Sequence, residues 1–437
     1  MKGLRFIRSV PRWLLVRSLG GRLRGLATGR LSCLQYTDLP PPPLPAPDWV
    51  RLAPRLCGIC GSDLSTIGCQ GSPYFAPFTS TPFVMGHEMV ATIAEVGPKT
   101  PAEWRPGRRV VLEPALGCAV RGIEPPCAFC AAGRYPLCAN ILKGTIAGGI
   151  QTGYCRSTGG GWSESLVAHP SQLHAVPDGL SDEEAVLVEP FSCALHAALK
   201  ILKAATAAGE RATVLVLGCG TIGLMTLAAY RTLGGRARVL ASARFQVQAE
   251  LARKFGADEV FSGGLDSRQL YAWVLERTGG SQHQPEIGKP VLLGGAEVVA
   301  DCVGTSQTCD DALRLAAPAG AVVVVGMPGL AKGVDWTAMW HKELRIEGAY
   351  AYGYEEIPEP TTGPWDGAGR RRIKTMDLAL EILDRQRREQ GGPLKALVNR
   401  KYPLEQYRRA LDDAFFSGRS GAFKVVFEIG APARASS

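Results

Sequence analysis

Cys60 stands in the run Leu56-Cys57-Gly58-Ile59-Cys60-Gly61-Ser62-Asp63, and Gly86-His87-Glu88 follows about one supersecondary unit later. A thiolate, an imidazole and a carboxylate are three zinc-type ligands of different softness. Mixed sets of this kind with an open coordination position suit a catalytic ion, whereas closed structural sites prefer four Cys or His ligands. The neighbouring glycines let the backbone turn closely around an ion. Taken alone, the three residues weigh evenly between a metal site and chance.

A second cluster, Cys127-x2-Cys130-x7-Cys138, matches most of a four-cysteine zinc lobe with the spacing C-x2-C-x2-C-x7-C. Where the fourth thiolate is expected the chain has Glu124, and Cys118 lies upstream in an enlarged loop that can carry it back. A closed tetrahedral site prefers four soft ligands, which predicts Cys118 over Glu124; the competing reading is a lobe of free thiols. Cys57, Cys69, Cys155, Cys193, Cys219, Cys302 and Cys309 have no such company and read as packing residues.

The third chemical feature is Gly218-Cys219-Gly220-Thr221-Ile222-Gly223, directly after the apolar run Val214-Leu215-Val216-Leu217. In a strand–turn–helix setting, Gly218 makes the tight turn and Gly220 lets backbone approach a pyrophosphate. Gly223 allows close helix packing, and Thr221 and Ile222 open the helix whose N-terminus faces the phosphates. With 52 glycines in the chain the triplet alone is weak, and the apolar run before it supplies the specificity. NAD sites hold an acid roughly 20 residues further on. Here Arg238 to Gln246 contains no acid, and Ser242 and Arg244 stand at that point. An arginine fork pairs well with a 2′-phosphate, so NADP is favoured over NAD; the alternative is an exposed turn arginine.

These residues need two kinds of scaffold. A chain of 437 residues is long enough for two domains, and 46% hydrophobic with 20% charged residues suits a globular α/β protein. Short β-like runs (49–56, 84–95 and 108–112), divided by glycine and proline, predict a compact, barrel-like, β-rich first domain. From Asp182 onward strands alternate with helices, the rhythm of a doubly wound parallel sheet. The tail from Tyr350 to Ile429, with one good helix over 376–387 and late strands, is expected to return to the first domain. The predicted division is 1–185 and 346–437 for the metal-bearing part and 186–345 for the dinucleotide part.

The net charge of +9 is scattered, without the aromatic-interleaved basic array of an RNA binder, so no nucleic-acid partner is expected. No run of 18 apolar residues appears, so no membrane span is expected. Thirteen cysteines without a secretory signal point to a reducing cytoplasm. Lys2, Arg5, Arg8, Arg12, Arg17, Arg22, Arg24 and Arg30 precede the first acid, Asp38, a composition shared with mitochondrial transit peptides. Against targeting, Gly3-Leu4-Arg5-Phe6 reads as a first strand and Trp13-Leu14-Leu15-Val16 as packing residues, so folded structure is predicted there.

With these motifs in order along the chain, the sequence resembles the zinc-dependent medium-chain dehydrogenase/reductase superfamily. The matching pieces are Gly58–Asp63, Gly86-His87-Glu88, the cysteine lobe, Val188-Glu189-Pro190, the Gly218–Gly223 loop and Asp301-Cys302-Val303-Gly304. The resemblance implies a GroES-like catalytic domain built from both chain ends, a Rossmann domain between, a catalytic zinc in an interdomain cleft, and dimers or tetramers. It implies that Cys60 and His87 are constant zinc ligands, and that Glu88 and Glu189 are the acids of polyol-type members. Ser62 matches the hydroxyl that takes the alcohol proton, and Asp63 orients the zinc shell. Members with a relay histidine carry it where this chain has Ser65, and His196 reads as a satisfied helix residue rather than a substitute. The implied activity is hydride transfer between an alcohol, polyol or sugar-like substrate and a nicotinamide. The rival readings are carbonyl reduction and a catalytically silent NADP-binding module. Pocket residues are expected on loops over 68–81 and 349–360.

Overall fold

The computed structural model describes residues 1–20, 25–264, 266–358 and 370–430. Arg22 and Arg24, the end of the pocket loop expected over 349–360, and the tail beyond 430 lie outside the described residues. The chain divides into two units: Met1–Glu189 with Tyr352–Tyr354 and Met376–Ser437, and Pro190–Ala351 with Glu355–Thr375.

In the first unit the strand Val50–Gly58 is the hub of a seven-stranded sheet. It pairs antiparallel with Met89–Val96, with Leu166–Ala168 and with the late strand Lys424–Glu428. Pro54 has no N–H to give a ladder, and the register with Met89–Val96 shifts between Pro54 and Leu56, which accommodates it. Beyond these the sheet extends through Val398–Pro403 on one side and through Arg109–Leu112 and Leu173–Ala175 on the other. The opening strand is present as Lys2–Phe6, between Leu34–Asp38 and Phe83–Val84. The arginine-rich stretch behind it folds as the helix Val10–Leu19, with Val16 in the core and Trp13 packed against it. Trp162 is fully buried here; its ring meets Phe427 edge-on at 5.1 Å, and its indole N–H donates to the Gly58 carbonyl at 3.1 Å.

The second unit holds a six-stranded sheet, parallel throughout, in the order Glu259–Phe261, Arg238–Ser242, Thr213–Leu217, Ala296–Asp301, Ala316–Val324, Arg345–Gly348. Thr213–Leu217 is buried at every position, as a strand covered on both faces must be. The strand order runs outward in both directions from it, so its C-terminal end is the switch point at which such sheets bind ligands. The alternating rhythm expected from Asp182 onward is present.

Three elements differ from the sequence reading. The helix Ser267–Thr278 and the hairpin Ser281–His283 with Val291–Leu293 were not anticipated. Ser267–Thr278 buries only Leu270, Tyr271, Val274 and Leu275, a faint periodic signal between polar residues. Among the described residues the tail has two helices longer than one turn, not one: Thr375–Gln390 and Tyr407–Phe415, the latter burying only Tyr407, Ala410 and Leu411. Among the described residues no helix is long and apolar enough to cross a membrane.

Trp162→Ala should lower the unfolding free energy by about 3–5 kcal/mol, the usual cost of a large core cavity. A urea titration reads this as an earlier midpoint; an unmoved midpoint would contradict the central place of this ring.

Candidate functional site

Strand Val50–Gly58 ends just before Cys60, which takes extended backbone as the N-cap of the helix Gly61–Ile67. Asp63, in the first turn, accepts the Cys60 N–H at 3.0 Å, and its other oxygen lies 3.4 Å from His87 Nδ1. An acid on Nδ1 holds the proton there and leaves Nε2 as the coordinating nitrogen. Nε2 lies on the side of Ser62, 3.5 Å from its Oγ. Cys60, His87 and Glu88 offer ligand atoms that all lie within 4.8 Å of one another.

The electrostatics fit a cation. Burial opposes charge on the His87 ring, but the Asp63 carboxylate and the Cys60 sulfur outweigh it and raise the His87 pKa well above the usual value. Glu189 opens the helix Val188–Ala208 and is buried, outside the tight three-residue set but close enough to interact with it. Burial pushes its pKa up to about 7; Glu88 pushes the same way, while His87, Lys424 and a hydrogen bond to Tyr352 oppose. A thiol, an imidazole and a carboxylate brought together, with the acids Asp63 and Glu189 beside them, are a donor set suited to a dication.

Lys424 was missed in the sequence. It is buried on the strand Lys424–Glu428, where its ammonium pairs with Glu88 and donates to the Ile59 carbonyl at 3.2 Å. Burial lowers its pKa, but Glu88 and Cys60 more than offset this and the net shift is upward. The available signal was a lysine opening the apolar run Val425-Val426-Phe427.

Cys118, Cys127, Cys130 and Cys138 likewise lie within 4.8 Å of one another. Cys118 Sγ is 3.6 Å from Cys138 Sγ and accepts the Cys127 N–H at 3.4 Å, while Glu124 is exposed. Four sulfurs with backbone N–H donors are a donor set suited to closed tetrahedral zinc. Fully buried Arg121, also missed, ties the enlarged loop together by donating to the carbonyls of Leu116, Lys143 and Ala147 at 2.9, 3.0 and 3.3 Å. Cys69, read as solitary, interacts with Cys33: the proximity of the two thiols draws the Cys33 pKa down to about 7.

In the second unit Gly218 has φ +89°, and a Cβ on Gly223 would lie 1.9 Å from the Gly218 carbonyl oxygen, so the turn and helix approach requires glycine. Gly220 caps the helix Thr221–Thr232, with open space where its side chain would be. Thr221 and Ile222 form the half-buried first turn. Buried Asp301 braces the adjoining loop by accepting the N–H groups of Val303 and Gly304 at 2.9 and 3.0 Å. Ser242 ends its strand and its carbonyl accepts the Gly218 N–H at 3.0 Å; exposed Arg244 lies over the Phe245 ring at 5.2 Å. This open helix N-terminus behind a glycine turn fits a dinucleotide phosphate. His196 is engaged by Glu355 at 2.6 Å, as expected of a satisfied helix residue.

Two family models match the chain: an alcohol dehydrogenase GroES-like domain over residues 46–178 and a zinc-binding dehydrogenase domain over residues 221–362. L-idonate 5-dehydrogenase of Vitis vinifera is 28% identical over 385 residues, covering 87% of this chain and 88% of that one. Sorbitol dehydrogenase of Arabidopsis thaliana is 28% identical over 397 residues, covering 89% and 90%. Among solved structures, galactitol-1-phosphate dehydrogenase from Escherichia coli superposes with a TM-score of 0.66 at 21% identity, covering 98% of this chain and 100% of that one.

A Cβ on Gly58 would lie 2.2 Å from Glu88 Oε2 and 2.8 Å from Lys424 Cε. Gly58→Ala should therefore dislodge that pair and lower bound zinc from about two ions per chain to about one, the cysteine lobe keeping its own. Metal analysis after dialysis checks this; full retention of both ions would separate Glu88 from the metal.

Proposed function

The chain belongs to the zinc-dependent medium-chain dehydrogenase/reductase family, and from that premise we propose how its residues divide the work. It is an NAD(P)-linked oxidoreductase of the alcohol and polyol type. The observation that carries the reading is the Cys60–His87–Glu88 cluster in a chain that also carries the Gly218–Gly223 turn.

In this reading Cys60, His87 and Glu88 hold the catalytic zinc, with Glu189 as the further acid of the pocket. When bound, zinc supplies a Lewis acid that makes an alcohol hydroxyl more acidic or polarises a carbonyl. The nicotinamide supplies the hydride acceptor or donor. Asp63 keeps His87 in the coordinating tautomer, and Ser62 receives the substrate's hydroxyl proton. Cys118, Cys127, Cys130 and Cys138 hold a second, structural zinc. The unit of residues 1–189 and 376–437 serves the metal chemistry, so Glu189 falls on the metal side and not in the stretch 186–345 first expected, and the unit of 190–351 with 355–375 serves the dinucleotide.

Gly218, Gly220, Thr221, Ile222 and Gly223 receive the pyrophosphate. The cofactor preference is NADP, supported by Ser242 and Arg244 where an acid is otherwise expected. The substrate class is a polyol or sugar alcohol, the class in the names of the idonate and sorbitol relatives. A homo-oligomer is supported by the edge strand Arg345–Gly348, exposed along its length and accompanied by Trp340, 66% exposed. A reducing cytoplasm is supported by the lack of any disulfide among the described residues.

A panel of alcohols, polyols and aldehydes, followed by nicotinamide absorbance with NAD and NADP, should reveal turnover that Cys60→Ser abolishes while dinucleotide binding persists. Turnover that survives Cys60→Ser would remove zinc from the chemistry. Arg244→Asp should move the binding preference from NADP toward NAD by about tenfold or more, the scale of one charge-assisted pair. An unmoved ratio would reduce Arg244 to a surface residue.

A further inference from the structure

The first two strands, Lys2–Phe6 and Leu34–Asp38, pair antiparallel from Lys2 with Asp38 to Phe6 with Leu34. Such a hairpin closes with roughly two to five residues, but here residues 7–33 intervene and carry the helix Val10–Leu19. This insertion lies ahead of residues 46–178, which match the family's catalytic domain, and none of the motifs that identified the site includes it. Val16 anchors it in the core with Trp13 packed alongside, and the Arg17 guanidinium lies over the Trp13 ring at 4.9 Å. Held there, Arg17 donates to the Cys69 carbonyl at 2.9 Å. Arg8, just before the helix, donates to the Ala76 carbonyl at 3.0 Å and to Thr79 Oγ1 at 3.2 Å. Both arginines therefore end on one loop, the stretch 68–81 expected from the sequence to line the pocket.

That loop leaves the end of the helix Gly61–Ile67, whose N-cap is Cys60. It starts bonded to this helix: the Cys69 N–H donates to the Thr66 carbonyl at 3.0 Å and the Gln70 N–H to the Ser65 carbonyl at 2.8 Å. At its far end the Ser80 N–H donates to the carbonyl of Tyr154, whose ring centroid is 6.0 Å from that of His87. Cys69 has φ +54°, a left-handed conformation that a residue other than glycine keeps only where its surroundings hold it. Its burial and the Arg17 hydrogen bond to its carbonyl hold it. The loop begins about 10 Å from Cys60, one helix length. That is too far for a two-carbon alcohol held at the ion, and within reach of a six-carbon chain.

We propose that the insertion 7–33 is the specificity element of this chain: Arg17 and Arg8 fix the loop 68–81 in the shape that receives the far end of a long polyol. This rests on the assignment of Cys60, His87 and Glu88 to a catalytic metal and of the substrate to the polyol class. Both arginines act through the loop, so they are positioning residues.

The test compares the full chain, loaded with zinc and dinucleotide, as wild type, Arg17→Met, Arg17→Met with Arg8→Met, and Arg17→Lys. Methionine keeps an apolar stem and removes the donors, whereas lysine restores a charged donor. With the best six-carbon polyol of the panel, KM should rise by about fivefold or more in the double variant, less than the full worth of one hydrogen bond from a charged group. The polyol kcat, the zinc content and the KM of the shortest alcohol that turns over should stay unchanged, and Arg17→Lys should recover part of the polyol KM. Hydrogen exchange read by mass spectrometry is the measure without turnover: amides of 69–79 should exchange about tenfold faster in the double variant. An unmoved polyol KM would overturn the proposal, and so would unmoved exchange, since the arginines would then not be what fixes the loop. A KM raised equally for polyol and short alcohol would overturn it in favour of general packing. Wild type that turns over neither alcohol nor polyol would remove the catalytic reading, and this inference with it; wild-type activity with unaltered selectivity in the variants removes the inference alone.

Discussion

The pairing of Lys424 with Glu88 is the interaction on which the catalytic unit depends. Both side chains are buried, and an isolated charge in such a place costs on the order of several kcal/mol. Each makes the other tolerable, and the Ile59 carbonyl takes a further Lys424 hydrogen. Lys424 arrives on a strand that pairs antiparallel with Val50–Gly58, so the tail of the chain must return to the sheet before the site is electrostatically complete. Gly58 leaves the room: any side chain there would meet the carboxylate and the lysine together.

Beside that pair, the Asp63–His87 contact shows what a neighbouring carboxylate does to a buried imidazole. A carboxylate at Nδ1 fixes the tautomer, and the surrounding charge draws positive charge to the ring despite its burial. The geometry that makes a neutral imidazole a good ligand therefore also makes it an eager base when nothing else is bound. In the second unit the corresponding constraint is steric. The 1.9 Å clash that a Cβ on Gly223 would create allows only glycine where the helix begins, and the open space at Gly220 leaves the helix N-terminus accessible.

Features carried by neighbouring residues were legible in the sequence. Cys60 with Asp63, His87 with Glu88, and the glycine turn each lie within one short run whose spacing encodes its geometry. The fourth sulfur was legible because chemistry excluded Glu124 more firmly than spacing excluded Cys118. The fold was legible where periodicity is strong, as in the buried Thr213–Leu217 strand, and faint where few residues are buried, as in Tyr407–Phe415. Lys424 and Arg121 escaped because their partners are remote or are backbone carbonyls, which leave no mark on residue spacing. Cys33 and Cys69, remote in sequence, likewise left no spacing signal, and the helix Val10–Leu19 is tied to the same turn by Arg17, which donates to the Cys69 carbonyl at 2.9 Å.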